Sequence, residues 1–369
     1  MANKERFPQL VVDRKKLAEN IAYAVRACGE QGISVTGVIK GFSALAECLP
    51  VYLESGVKSI ASSRLAQLRR VKELMESGLP RKELLLLRVP MLSEIEEVIE
   101  LCDASLNSEL VVLRALNEEA LKQGKVHKVI LMADLGDLRE GFWDKDEMAE
   151  VAETVERELK GLRLLGIGTN LGCYGALVPT AEKVGELEPI AEVIEKRIGR
   201  PLDVISGGAS TSFMRVTDGD MPKRINNLRM GENIIVAYDN AAYHGHDTAP
   251  MHRDVWTLRA EVLEVKDKPT HPVGTINVDA FGQTPTYPDR GIRKRALLGV
   301  GKVDLGSPFD VFPRLKGVEV LGGSSDHLIL DIEDAERDLK PGDIVEFDID
   351  YGSLVFLSAS EDVKIVCKN

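Results

Sequence analysis

The chain has 369 residues, 44% of them hydrophobic, and a formal net charge of −12, enough for one large core and a second domain. The acidic excess argues against nucleic acid and anionic membranes as partners, because a basic surface supplies that attraction, and apolar runs such as "LLLL" (84–87) fall far short of the roughly 20 residues of a membrane-crossing helix. Five scattered cysteines (Cys28, Cys48, Cys102, Cys173, Cys367) with no CxxC pair argue against a disulfide framework or zinc module, and "MANKERFPQL" holds no apolar signal core, so the expected address is cytoplasmic.

The first element is an extended segment, "FPQLVVD", followed by a helix. From 35 to about 235, short apolar runs alternate with stretches of helical spacing, the pattern of βα units on a parallel sheet. Strands are expected at 35–40, 59–62, 84–89, 103–107, 128–134, 162–169, 202–206 and 227–236, and helices at 43–55, 63–76, 92–100, 108–122, 146–159 and 180–198. Eight strands favour a (β/α)8 TIM-type barrel over a doubly wound open sheet. After about 245 the texture becomes β-branched with period two ("WTLRAEVLEVKD", "GTINVDAFG", "ALLGVGKVDL", "GVEVLGGSSDHLILDI", "GDIVEFDIDYGSLVFLSA"), which predicts a C-terminal, mainly antiparallel β-domain without long helices. The expected domains are 10–245 and 246–369, with the N-terminal strand (1–12) pairing to the second.

A barrel of this kind carries its chemistry where the strands end. Read in order, those positions are Lys40, Ser62, Arg88, Asn107, Asp134 followed by Arg139, Thr169 with Asn170, Ser206 to Ser210, and Arg229 with Gly231. "ISGGAST" (205–211) and "RMGEN" (229–233) are small-residue turns whose backbone N–H groups can cradle a phosphate, Gly208 and Ser210 among them. A lysine, a phosphate cradle and an arginine on one rim suggest pyridoxal 5'-phosphate held by Lys40 as a Schiff base, since that bond needs an amine able to lose its proton. Each feature also has a plainer reading: a strand-end charge, a tight turn, a rim ion pair.

These residues also resemble the alanine racemase superfamily of fold type III pyridoxal-phosphate enzymes, closest to its ornithine racemase-like branch, over nearly the whole chain. "LVVDRKKLAEN…VTGVIKG" is similar to the family's opening, which implies that Lys40 is the cofactor lysine. "ADLGDLREGF" resembles D-T-G-M-x-R-x-G-F, implying that Arg139 serves catalysis and the substrate carboxylate; "GIGTNLGCYG" places Asn170 where the family has a histidine. "NNLRMGENIIVAYD" implies Arg229 at the pyridine nitrogen and phosphate near Gly231 and Glu232. "GSSDHLILDI" maps Ser325 and Asp326 onto the substrate-carboxylate loop, and "DYGSLVFLSASEDVKI" maps Tyr351 onto the phosphate-binding tyrosine. The resemblance implies an amino-acid racemase acting on a free amino acid such as ornithine, lysine or alanine, and a head-to-tail homodimer with shared active sites.

Two departures stand out. "GFSALAE" after Lys40 lacks the family's tyrosine, and "VDAFGQTP" (278–285) offers Phe281 where the tyrosine of the second catalytic base belongs, leaving Asp279, Tyr287 and His244 as substitutes. Another reaction on the same cofactor (decarboxylation, elimination, retro-aldol cleavage) and a non-catalytic cofactor carrier are the alternatives. The cluster "YHGHDTAPMH" (His244, His246, Asp247, His252) matches no zinc spacing, so no metal site is expected.

Overall fold

A computed structural model describes residues 5–368. Strand β1 (Gln9–Asp13) leads into a helix, Arg14–Gly29. Eight parallel strands then close on themselves: β2 (Ser34–Val38), β3 (Ser59–Ser62), β4 (Glu83–Leu86), β5 (Ala104–Asn107), β6 (His127–Met132), β7 (Leu162–Gly168), β8 (Val204–Ser206) and β9 (Asn227–Met230). The closing ladder pairs Ser34 with Asn227 and Gly37 with Met230. Val38, Ala61, Leu85, Leu106, Ile130 and Met132 fill the interior, so the barrel is a packed core rather than a pore. Strand runs apolar on both faces are the reason these segments read as near-continuous apolar stretches.

The remaining strands form a mainly antiparallel sheet. These are β10 (Trp256–Pro269), β11 (Ile292–Leu298), β12 (Val311–Pro313), β13 (Glu319–Gly323), β14 (Leu328–Asp331), β15 (Ile344–Ile349) and β16 (Lys364–Lys368), in the order β12-β15-β10-β11-β14-β13. β1 joins it, antiparallel to β10 and parallel to β16. The chain divides into two compact units, Leu17–His252 and Met1–Lys16 with Arg253–Asn369. Among the described residues, no helix is long and apolar enough to cross a membrane.

Several expected elements are corrected. The run 227–236 is strand only to Met230; Glu232–Ile235 is a helix, fully apolar at Ile234 and Ile235 and therefore without the periodicity that tells a buried helix from a strand. The helix expected over 180–198 is two, Ala181–Gly185 and Leu187–Ile198. Pro189 has no N–H to give the Gly185 carbonyl, so the helix restarts with proline in its first turn. The segment 43–55 is helical only over Leu49–Glu54, because Ser43 and Ala44 take positive φ (52° and 51°). "GTINVDAFG" forms no strand, and two short helices, Lys302–Leu305 and Tyr351–Leu357, replace expected strand. Asp350 caps the second by accepting from the Ser353 amide (3.2 Å).

Gly166 follows the β6/β7 irregularity, and a Cβ there would lie 1.8 Å from the Val204 carbonyl oxygen. Gly166→Ala is expected to cost about 3 kcal/mol in urea titration through forced strand separation. Gly29→Ala, with nothing within 4 Å, should shift stability by less than about 1 kcal/mol.

Candidate active site

Lys40 lies just past the end of β2, opening a 3-10 turn (Lys40–Phe42). Phe42 is fully buried against the buried Tyr52, their ring centroids 5.4 Å apart, and this anchors the turn. The Lys40 amine is half-buried, and its pKa is lowered first by that burial. Four further groups act on it: Cys173 and Glu140 raise the value, Arg139 and Arg229 lower it. One electrostatic neighbourhood therefore gathers Lys40, Arg139, Glu140, Cys173 and Arg229. Among the described residues no carboxylate pairs with the Lys40 ammonium.

Arg229, in β9, is 4% exposed and has no carboxylate within ion-pair distance among the described residues. Its Nη1 donates to Ser206 Oγ (2.6 Å) and its Nη2 to the Thr169 carbonyl (2.6 Å). Burial pulls its pKa down to about 10. Arg139 differs: it grips Glu140 through two guanidinium nitrogens and donates Nη1 to Cys173 Sγ (2.9 Å), so its pKa is raised.

The two glycine turns meet at Ser210. Its Oγ accepts from the Gly231 amide (3.0 Å) and the Asn233 amide (3.1 Å), tying the turn after β8 to the first turn of Glu232–Ile235. Gly208 has φ +122° and its carbonyl accepts from the Arg229 amide (3.0 Å); a Cβ there would lie 2.4 Å from Ser212 Oγ. Ser212 Oγ and Asn170 Nδ2 are buried polar atoms with no hydrogen-bond partner among the described residues. Both flank this rim.

Other strand-end residues are used locally. Ser62 Oγ accepts from the Arg64 amide (3.2 Å), Asp134 accepts from the Gly136 (2.8 Å) and Leu138 (3.1 Å) amides, and Arg88 pairs with Glu94. Asn107 donates to the Ser105 carbonyl (2.9 Å). The histidine cluster is dispersed: His246 pairs with Asp218 (2.8 Å), His252 with Glu19 (2.7 Å), and His244 is exposed. Among the described residues no three metal-ligating side chains converge.

In the β-sheet unit, Asp279, Phe281, Tyr287, Lys302 and Ser307 line a cavity of about 520 Å³. Asp279 Oδ1 accepts from the Gln283 (2.8 Å) and Phe281 (2.9 Å) amides, and its Oδ2 lies 3.5 Å from the Lys302 ammonium. The Gln283 amide is the leading cause of its lowered pKa. The Lys302 ammonium also sits 4.0 Å from the Phe281 ring centroid. Ser325 and Asp326 occupy the β13–β14 turn, where the local hydrogen bond to the backbone is made by Ser324, accepting from the His327 amide (3.2 Å), and Asp326 is exposed. Tyr351 opens a helix rather than lying in a strand. Glu140, Cys173, Asn227 and Lys302 carry no spacing in the sequence that marks them as site residues.

A family model for the alanine racemase N-terminal domain matches residues 12–238. The chain belongs to the alanine racemase family. It is 37% identical to the ornithine racemase of Acetoanaerobium sticklandii over 97% of this chain and 99% of that one, and 35% identical to the lysine racemase of Thermotoga maritima over 98% of each. The family fold is shared at much lower identity with a solved alanine racemase from Bartonella henselae: 16% identity, TM-score 0.72, 99% of this chain and 100% of that one.

The geometry predicts an early-titrating amine. Competitive lysine labelling against pH, in protein freed of small molecules, is expected to show Lys40 reacting below the usual lysine value of about 10.4. A protonated amine is inert, and burial lets Lys40 lose its proton at lower pH; labelling in step with ordinary surface amines would contradict the environment described.

Proposed function

We propose that the chain is a pyridoxal-phosphate-dependent amino-acid racemase in which Lys40 holds the cofactor. One observation carries the reading: a half-buried lysine with a lowered pKa shares the barrel mouth with Arg229, a buried guanidinium facing only neutral acceptors. Support comes from the relatives named ornithine racemase and lysine racemase, and from the Bartonella henselae structure, described as having covalently bound pyridoxal phosphate.

The residues present fit that group. A lysine able to deprotonate, a glycine turn closed to any Cβ at Gly208, and partnerless buried atoms at Ser212 and Asn170 suit an aldehyde, a phosphate and ring substituents. In this proposal Ser210, Gly208, Gly231 and Glu232 border the phosphate, with Tyr351 contributing to it. Ser210 Oγ already takes the Gly231 amide, so a phosphate oxygen would share or displace that contact.

When bound, pyridoxal phosphate would supply the electron-withdrawing ring that makes an amino acid's Cα proton labile. Lys40 Nζ would take or return that proton on one face. Arg229 can only donate hydrogen bonds, so opposite the ring nitrogen it would withhold the proton that a carboxylate would favour there. Arg139, oriented by Glu140, would meet the substrate carboxylate together with Ser325 and Asp326. Of the two groups proposed for the opposite face, Asp279 is the weaker base because two amides and Lys302 stabilise its charge; Tyr287 is the better candidate. Head-to-tail pairing of two copies, and a cytoplasmic address, complete the proposal.

Borohydride treatment of the cofactor-loaded protein is expected to fix the label on Lys40 by peptide mass. Single L-amino acids in deuterated water should exchange at Cα and yield both enantiomers, and Lys40→Ala should lower that rate by roughly 10³-fold or more. Carbon dioxide or ammonia released instead would point to a different reaction on the same scaffold.

A further inference from the structure

Behind Arg229 a file of neutral polar groups runs through the barrel core toward its amino-terminal end. Arg229 Nη1 donates to Ser206 Oγ (2.6 Å), and Ser206 Oγ donates to Asn227 Oδ1 (2.7 Å). Asn227 Nδ2 donates to Thr36 Oγ1 (3.1 Å) and Ser34 Oγ (3.2 Å), and Thr36 Oγ1 lies 2.8 Å from Ser59 Oγ. Ser206 and Thr36 are buried at 0% and 2% exposure and Asn227 at 7%. Strand register builds the file, since Asn227 stands opposite both Ser206 on β8 and Ser34 on β2. Ser34, Thr36, Ser59 and Asn227 border a cavity of about 280 Å³ where the file ends.

The direction of each bond follows from the chemistry of the groups. A guanidinium only donates, and a serine hydroxyl has one proton. Ser206 can therefore accept from Arg229 while sending its own proton to Asn227 Oδ1. The Asn227 amide is oriented in turn by the Ser34 and Thr36 oxygens that receive its N–H groups. We propose that Ser206 and Asn227 are positioning residues for Arg229: they fix its guanidinium through neutral acceptors, with no carboxylate behind it, and so set how strongly the cofactor ring withdraws electrons. This inference rests on the proposal that Arg229 faces the ring nitrogen.

The test compares Ser206→Ala, Ser206→Thr, Asn227→Asp, Arg229→Gln and a control, Ser105→Ala, which removes a buried β5 hydroxyl that bonds His127 of β6 (2.8 Å). Three quantities are read: thermal unfolding, the absorption spectrum of the cofactor-loaded protein, and the ratio of racemisation to amino-group transfer onto the cofactor. Ser206→Ala is expected to lower that ratio about ten-fold, the worth of one hydrogen bond to a charged group, and to shift the spectrum. Ser206→Thr should restore both. Asn227→Asp, nearly isosteric and so retaining the fold, puts a carboxylate into the file and should also shift the spectrum. Ser105→Ala should lower the unfolding temperature and leave spectrum and ratio alone. The inference is overturned if Ser206→Ala and Asn227→Asp leave both readouts at the wild-type level while Arg229→Gln moves them, or if Ser105→Ala moves them equally. Were Arg229→Gln itself silent, the placement of Arg229 at the ring would fall instead.

Discussion

A guanidinium sealed inside the barrel with no carboxylate in ion-pair contact among the described residues is the constraint around which this fold is arranged. Removing such an ion from water costs several kcal/mol even after relaxation. Two hydrogen bonds from a charged donor return about 3–6 kcal/mol between them, which covers much of that cost only if both acceptors are held in place. Thr169 supplies one as a backbone carbonyl at the end of β7, and Ser206 supplies the other from β8. The side-by-side order of β7, β8 and β9 is thus a requirement of the charge, because these three strands must present their ends together. Burial still draws the pKa of Arg229 down, to about 10.

Lys40 is placed by a different device. The strand stops at Val38, a 3-10 turn follows, and residues of positive φ at Ser43 and Ala44 reverse the chain before the next helix. Phe42 and Tyr52 fill the space beneath. The amine is left half-buried, and that burial lowers its pKa. Positive charges at Arg139 and Arg229 act in the same direction, whereas Cys173 and Glu140 oppose them. Burial is the largest of these effects, so the pKa of the amine is lowered on balance, and Glu140 is itself paired with Arg139.

The β-sheet unit solves a separate problem. Phe281 has no hydroxyl, yet its ring carries the Lys302 ammonium, and Asp279 closes the arrangement through two backbone amides. This cluster is built on a loop with no strand of its own, so its geometry depends on local turns and one ion pair rather than on a sheet ladder. Tyr287 and Ser307 share its cavity, giving a polar recess walled by aromatic rings.

Sequence by itself determined the alternation of strands and helices through the barrel, the positions where strands end, and Lys40, Arg139 and Arg229 as the residues to examine. Apolar periodicity and turn chemistry are local, and a lysine at the close of an apolar run is visible without coordinates. It also failed locally: Ile234 and Ile235 are buried on every side, and the Tyr351–Leu357 helix looks like strand because its apolar residues are adjacent. Only the tertiary structure decided which charges meet. Arg139 binding Cys173, Arg229 resting on Ser206, and Lys302 lying over Phe281 join residues tens of positions apart. Such partnerships are set by strand register and loop closure, which act across the fold and leave no mark in the spacing of neighbouring residues.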